Sequence, residues 1–178
     1  MTEKSLPLSQ VYKLLEPGPV VLLSTAYKNK ENVMTMSWHM MVDFEPPIVA
    51  CVISDRNYSF SLLQKSKECV INIPTVDLAE KVVQIGNVSG KQVDKFEKFH
   101  LSREEGTYVR APLLSECYAN LECRVVNTKM VPTYGMFIVE VVKAWIHPKK
   151  KRPLMIHHCG KGVFVVDGKT LTLPSKKK

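Results

Sequence analysis

A β-barrel with inserted helices is the fold that the sequence predicts, on three observations. Short stretches rich in β-branched residues recur along the 178-residue chain. Helical periodicity is confined to a few short segments. The strand–helix alternation that a doubly wound sheet requires stops after the first half. At this length and 45% hydrophobic, residues 1–178 fit one domain with a buried core.

The elements follow in order. A helix is expected over 7–15, where Pro7 suits a first turn and Val11, Leu14 and Leu15 make an apolar stripe; EPGP ends it. VVLLSTA (20–26) reads as a strand and leads through the polar turn YKNKEN into a second, beginning NVMTMSWHMM, which FEPP breaks. IVACVIS (48–54) starts another strand. NYSFSLLQKS (57–66) has Phe60, Leu62 and Leu63 on one helical side, and ECVINIP returns to strand. TVDLAEKVVQIGN (75–87) reads as a helix with Thr75 as cap, Leu78, Val82, Val83 and Ile85 apolar, and Gly86 as stop. VDKFEKFHL adds a helical turn or two.

The second half is mostly strand. In YANLECRVV (118–126), Ala119, Leu121, Cys123 and Val125 alternate with Tyr118, Asn120, Glu122 and Arg124, the pattern of a half-buried strand. GMFIVEVVKAWI (135–146) is apolar on both sides and so central. Residues 153–174 are expected to end in a hairpin, GVFVVDGKTLTL, turning at Asp167–Gly168.

Composition excludes several function classes. Of the net charge of +8, seven units come from a loop run, 149–152, and a tail, 175–178, leaving +1 for the rest. Solvated basic runs without interleaved aromatics do not read as a nucleic-acid surface. No apolar run approaches the ~20 residues that span a membrane, and MTEKSLPLSQ lacks the apolar core of a secretory signal, so a cytoplasmic location is expected. Five scattered cysteines without C-x-x-C spacing point to reduced thiols and not to a disulfide framework.

The stretch NVMTMSWHMM holds four of the eight methionines. At period two, Met34, Met36, Trp38 and Met40 share one face, while Val33, Thr35, Ser37 and His39 share the other. Thioethers and an imidazole suit Cu(I), but on a strand His39 points away from the methionines, so core packing is the better account. His157, His158 and Cys159 lack a second ligand pair at zinc spacing, and no metal site is expected. There is no G-x-S-x-G elbow, no P-loop and no G-x-G-x-x-G. An anion could still be held by SDRNYS, with Ser54, Arg56 and Ser59 ahead of a helix, and by NVSGKQVDKF, with Asn87, Ser89, Gly90, Lys91 and Lys95.

These segments come in a definite order: NVMTMSWHMMVDFEPPIVACVI, RNYSFSLLQKSKECVINIP, SGKQVDKF, GMFIVEVVKAWI and HHCGKGVFVVDG. Over roughly residues 10–170 the chain thereby resembles the flavin reductase-like, FMN-binding split-barrel family, which includes flavoredoxin and ferric reductases. The resemblance implies a Greek-key split β-barrel forming a homodimer, with FMN held noncovalently near the interface. It implies that Asn32, Met34, Thr35, Met36, Ser37 and Trp38 line the isoalloxazine, and that Cys51, Val52, Ile53 and Ser54 run beneath the ribityl chain. Arg56, Ser59, Asn87, Ser89, Gly90 and Lys91 would lie near the phosphate, Lys95 close to the flavin, and Phe164 over one edge. The even-numbered methionines would then fill the core or the dimer seam, and a break near Ser37 would be needed to swing Trp38 to the cofactor.

The implied activity is that of an oxidoreductase passing electrons from NAD(P)H through FMN to a small-molecule or protein acceptor. An electron carrier reduced by a partner protein is the alternative, and a flavin-free structural or soft-metal-binding protein is the remote one. The chemistry would reside in FMN, so no catalytic side chain is expected. One departure bears on the choice. Many relatives carry a histidine-bearing turn before the strand matched by GMFIVEV, whereas this chain has PTYG, with Tyr134 and Gly135.

Overall fold

Eleven strands form among the described residues, 18–147 and 153–173 of this computed structural model. They are β1 (Val21–Tyr27), β2 (Lys30–Met36), β3 (His39–Phe44), β4 (Pro47–Val52), β5 (Glu68–Ile73), β6 (Arg103–Glu104), β7 (Leu113–Leu114), β8 (Ala119–Asn127), β9 (Met136–Ile146), β10 (Ile156–His158) and β11 (Phe164–Val166). The helices between them are α1 (Tyr58–Ser66), a 3-10 turn at Val76–Leu78 that leads into α2 (Ala79–Gly86), and two single turns, α3 (Lys95–Lys98) and α4 (Val131–Tyr134). The helix expected over 7–15 and the basic runs 149–152 and 175–178 lie outside the described residues.

Seven strands make one antiparallel sheet in the order β2-β1-β5-β8-β9-β4-β3, with β9 central as its two-sided apolar pattern predicts. The two edge strands, β2 and β3, are neighbours in sequence, separated only by Ser37 and Trp38. Laid flat, such a sheet would put its edges about 29 Å apart. The link from Met36 to His39 reaches about 11 Å at most. The sheet must therefore curl until its edges meet, and the result is a barrel split along the β2/β3 seam.

Alternation then sorts side chains to the inside and the outside of the barrel. Val21 and Leu23 of β1, Met36 of β2, Val49 and Cys51 of β4, Cys69 and Ile71 of β5, and Phe137 and Val139 of β9 pack inside. Cys123 of β8 joins Cys51 and Cys69 there, so three thiols sit buried within one barrel. Leu22 and Val33 face outward and are covered by Val82 and Ile85 of α2 and Phe96 of α3. Burying these apolar faces is the main stabilising term, at roughly 25 cal/mol per Å².

Several expectations need correction. The second strand does not run on to FEPP; it breaks at Ser37–Trp38, and residues 39–44 form the separate edge strand β3, which turns into β4 across the Glu45–Pro46 peptide. The final hairpin joins β10 to β11 and turns at residues 159–163, where Gly160, Lys161 and Gly162 all have positive φ. Asp167 is unavailable for a turn because its carboxylate clamps the strand opposite. Oδ1 meets His157 Nε2 at 2.6 Å, and Oδ2 accepts from the Met155 N–H at 3.1 Å. Gly86 is the last residue of α2, followed by Asn87 in ordinary helical geometry, so it does not act as a left-handed stop.

The polar face of β8 is not solvated as expected. Glu122 is fully buried because the loop 104–109 folds back over it. Its carboxylate accepts the N–H groups of Thr107, Tyr108 and Val109 and the Trp145 indole N–H. Burial alone would raise this carboxyl's pKa, but the Trp145 and backbone donors outweigh it and the net shift is downward. Glu122→Gln puts an amide N–H₂ among these donors and should cost about 2–4 kcal/mol in urea denaturation. Because the folded-state pKa is depressed, the Glu122 contribution is present above the usual carboxylate range and is lost as pH falls through the folded value. The stability gap between wild type and variant should therefore narrow in acid.

Candidate functional site

The break between β2 and β3 builds the site. Ser37 and Trp38 leave the sheet: the His39 N–H donates to the Ser37 carbonyl at 3.1 Å, and the Val52 N–H donates to the Trp38 carbonyl at 2.9 Å. Alternation is interrupted there, and Trp38 stands 57% exposed at a cleft while Met36 stays in the core. Met40 leaves the core altogether and lies exposed on β3. The copper geometry does not form, since His39 Nε2 sits on the Pro19 carbonyl at 2.8 Å.

Three lobes surround residues 34–37. The largest, about 760 Å³, is walled by Met34, Thr35, Met36, Ser37 and Trp38 on one side. Val52, Ile53, Ser54 and Tyr134 wall the other side. An apolar lobe of about 330 Å³ shares Thr35 and Ser37 with it and is closed by Val82, Asn87, His158 and Phe164. A small lobe of about 210 Å³ shares Met34 with the first and collects Asn32, Arg56, Ser89, Gly90 and Lys95, with Asn87 as well. Thr35 ties this arrangement together, because its hydroxyl donates to the Val82 carbonyl of α2 at 2.6 Å.

The small lobe has the electrostatics of an anion site. Asn32 Nδ2 and the Thr25 hydroxyl both donate to Ser59 Oγ, at 2.8 and 3.1 Å, which locks the Asn32 amide. Among the described residues Asn32 Oδ1 is buried without a hydrogen-bond partner, a state that is costly unless a ligand or water donates to it. Gly90 lies against that oxygen so closely that any Cβ would collide with it. Lys95 is only 5% exposed, and its Nζ donates to the Ile85 carbonyl at 2.8 Å. Among the described residues no carboxylate pairs with it. Burial lowers its pKa to about 8. A buried ammonium with one neutral acceptor favours the arrival of an anion.

The large lobe differs in charge. Among the described residues Asp55 is its only charged lining residue. Tyr134 is held at its mouth because the Ile53 N–H donates to the Gly135 carbonyl at 2.9 Å, docking α4 against the end of β4.

Most residues expected at the site converge on it, with three exceptions. Cys51 is fully buried in the barrel core, because it alternates with Val52 and faces inward. Ser59 lies behind Asn32 and positions it without lining a lobe. Lys91 lines a surface groove beside the small lobe. Sequence reasoning missed Phe60 and Gln64, which line the large lobe one helical turn apart on α1. It also missed Pro132 and Thr133 on α4. His158 was weighed only as a metal ligand; its ring packs beside Phe164, centroids 5.1 Å apart.

Comparison with known proteins agrees with this architecture. A family model described as flavin reductase like domain matches residues 14–163. The uncharacterized protein YddH of Escherichia coli K12 is 32% identical over 180 residues, covering 93% of this chain and 95% of its own. An uncharacterized protein of Archaeoglobus fulgidus is 35% identical over 113 residues, 64% of each chain. Among solved structures, an FMN-binding domain of a flavin reductases-like enzyme from Shewanella baltica superposes with a TM-score of 0.82 at 24% identity, covering 96% of this chain and 97% of its own. Flavoredoxin from Methanosarcina acetivorans superposes with a TM-score of 0.82 at 25% identity, covering 99% and 97%. Matched by that family model over most of its length, the chain belongs to the flavin reductase like domain family.

Proposed function

We propose that the protein is an FMN-binding oxidoreductase that takes electrons from a nicotinamide donor and passes them to an acceptor. The observation that carries FMN binding is the small lobe, where among the described residues Lys95 lacks an anionic partner and Asn32 Oδ1 lacks a donor. A phosphate and polyol chain would meet both needs. Arg56, Ser89, the Gly90 backbone and Lys95 would hold the phosphate end, and Met34, Thr35, Ser37 and Trp38 would line the ring. Bound FMN supplies the electron transfer, and the protein's part is to position it and exclude water from one side. The family match and the solved FMN-binding neighbours support this reading.

A second reading, an electron carrier reduced by another protein, is favoured by the charge of the large lobe. A nicotinamide dinucleotide brings a pyrophosphate, and among the described residues the large lobe offers it Asp55 and no cation. Tyr134 and Gly135 stand where many relatives place a histidine, and flavoredoxins are among the structural neighbours.

We further infer a homodimer. Edge strand β3 exposes Met40, Met41, Val42 and Phe44, the last 86% exposed. Soluble proteins do not leave an apolar edge strand bare, and a second copy would cover it beside the cleft.

Four measurements test these readings. The purified protein should be yellow or gain flavin absorbance on adding FMN, and a chain that stays colourless sinks both flavin readings. Bleaching by anaerobic NADH or NADPH then supports the nicotinamide-dependent enzyme, whereas persistent colour supports the carrier. FMN affinity should be highest below pH 8 and fall by up to about tenfold per pH unit above it, as Lys95 loses the proton that the anion stabilises. Lys95→Met should weaken binding and flatten that profile; a flat wild-type profile removes Lys95 from the anion site. Phe44→Lys should convert a dimer to a monomer in sedimentation, and a wild-type monomer overturns the dimer.

A further inference from the structure

Of the chain's five histidines, His158 alone lines any of the three lobes among the described residues. It lines the apolar lobe together with Thr35 and Ser37, two of the residues that would line the flavin ring. We propose that His158 is the charge-compensating residue of the cleft, taking a proton from solvent onto its imidazole when two electrons enter the bound ring. The proposal rests on the FMN reading above. Two electrons come from the donor and one proton comes from water. One N–H bond forms, and the imidazole becomes an imidazolium.

Strand register puts this ring where it stands. In β10, His157 pairs with Val165 and His158 with Phe164 of β11. Neighbouring residues of a strand point to opposite faces. On one face, His157 Nε2 meets Asp167 Oδ1 at 2.6 Å, and the same carboxylate holds the Met155 N–H. Pro19, just ahead of β1, also bridges to His157. That face anchors the hairpin to the barrel. On the other face, the half-buried His158 ring packs beside Phe164, and both line the apolar lobe. Anchoring through His157 therefore fixes the place of His158.

The surroundings suit a proton acceptor. Imidazole is the side chain whose ordinary charge change falls between about pH 5 and pH 8. Val20, Val82, Val83 and Phe164 give the lobe its apolar lining, and among the described residues no other titratable side chain lines it. Asp55 and Tyr134 belong to the large lobe, and Arg56, Tyr58 and Lys95 to the small one. On the neighbouring elements, Lys81 of α2 turns to the His100 carbonyl at 3.3 Å, Cys159 Sγ lies against the His157 carbonyl, and Glu80 and Lys161 are exposed. Charge is weakly screened in an apolar lobe, so incoming electrons favour a proton on the base that lines it. Lys95 is charged below about pH 8 and has no proton to gain there.

The test is NMR of the full-length wild-type protein loaded with FMN, following the imidazole signals from about pH 5 to pH 7 before and after reduction with dithionite. His158 should hold its proton about tenfold more tightly in the reduced protein, while His157, on the anchoring face, should change by less than about twofold. Linkage gives a second readout, the reduction equilibrium measured by potentiometry. Lowering the pH across that window should favour reduction about tenfold more in the wild type than in His158→Gln. Unchanged proton affinity at His158 overturns the proposal and spares the FMN reading. Equal changes at His157 and His158 overturn it as well, because they report a change that is not local to the lobe. The same pH dependence of reduction in wild type and variant also overturns it. A protein that binds no FMN overturns both.

Discussion

The two-residue link between the first and last strands of the sheet is the constraint on which the rest of the molecule depends. With β2 and β3 at opposite edges, Ser37 and Trp38 can join them only if the sheet closes. Closure forces the backbone out of strand geometry at that link, and residues there no longer obey inside–outside alternation. That is why Met36 packs inward, Trp38 stands in a cleft, and polar and apolar walls meet at one place. The site is a consequence of how the barrel closes, and α1, α2 and α4 fill in around it.

Buried polar groups elsewhere in the barrel show how this chain completes its hydrogen bonds. Asn72 donates to the Leu22 carbonyl and to Ser24 Oγ, and accepts the Leu114 N–H. Glu122 accepts from three backbone N–H groups and an indole. Against that background Asn32 and Lys95 are different in kind. Each is buried, each is fixed in place by a neighbour, and each keeps hydrogen-bonding capacity unused among the described residues at the same lobe. Unused capacity on two buried groups at one lobe is the physical reason to place a ligand there.

Much of this was legible in the sequence because it is local. The period-two pattern of β1 and β9, the apolar side of α1 and the Asp94-capped turn at VDKF need only near neighbours to be read. The order of the loop segments pointed to most of the cleft lining. What was not legible depends on partners far along the chain. Glu122 is buried because a loop more than a dozen residues earlier returns to cover it. Asp167 looked like a turn residue, but His157 and Met155 had claimed its carboxylate. Cys51 was assigned to the cleft as part of a segment, yet its neighbours on either side show that register decides residue by residue.

The three thiols inside the barrel have a chemical consequence. Burial pushes Cys51 up to about 12, and its Cys123 neighbour adds to the shift. At neutral pH only about one such group in 10⁵ is a thiolate, the form that reacts with oxidants and electrophiles. Val52 lines the cleft immediately after Cys51 in the same strand. Held protonated behind that wall, Cys51 is a poor nucleophile toward anything that enters the cleft.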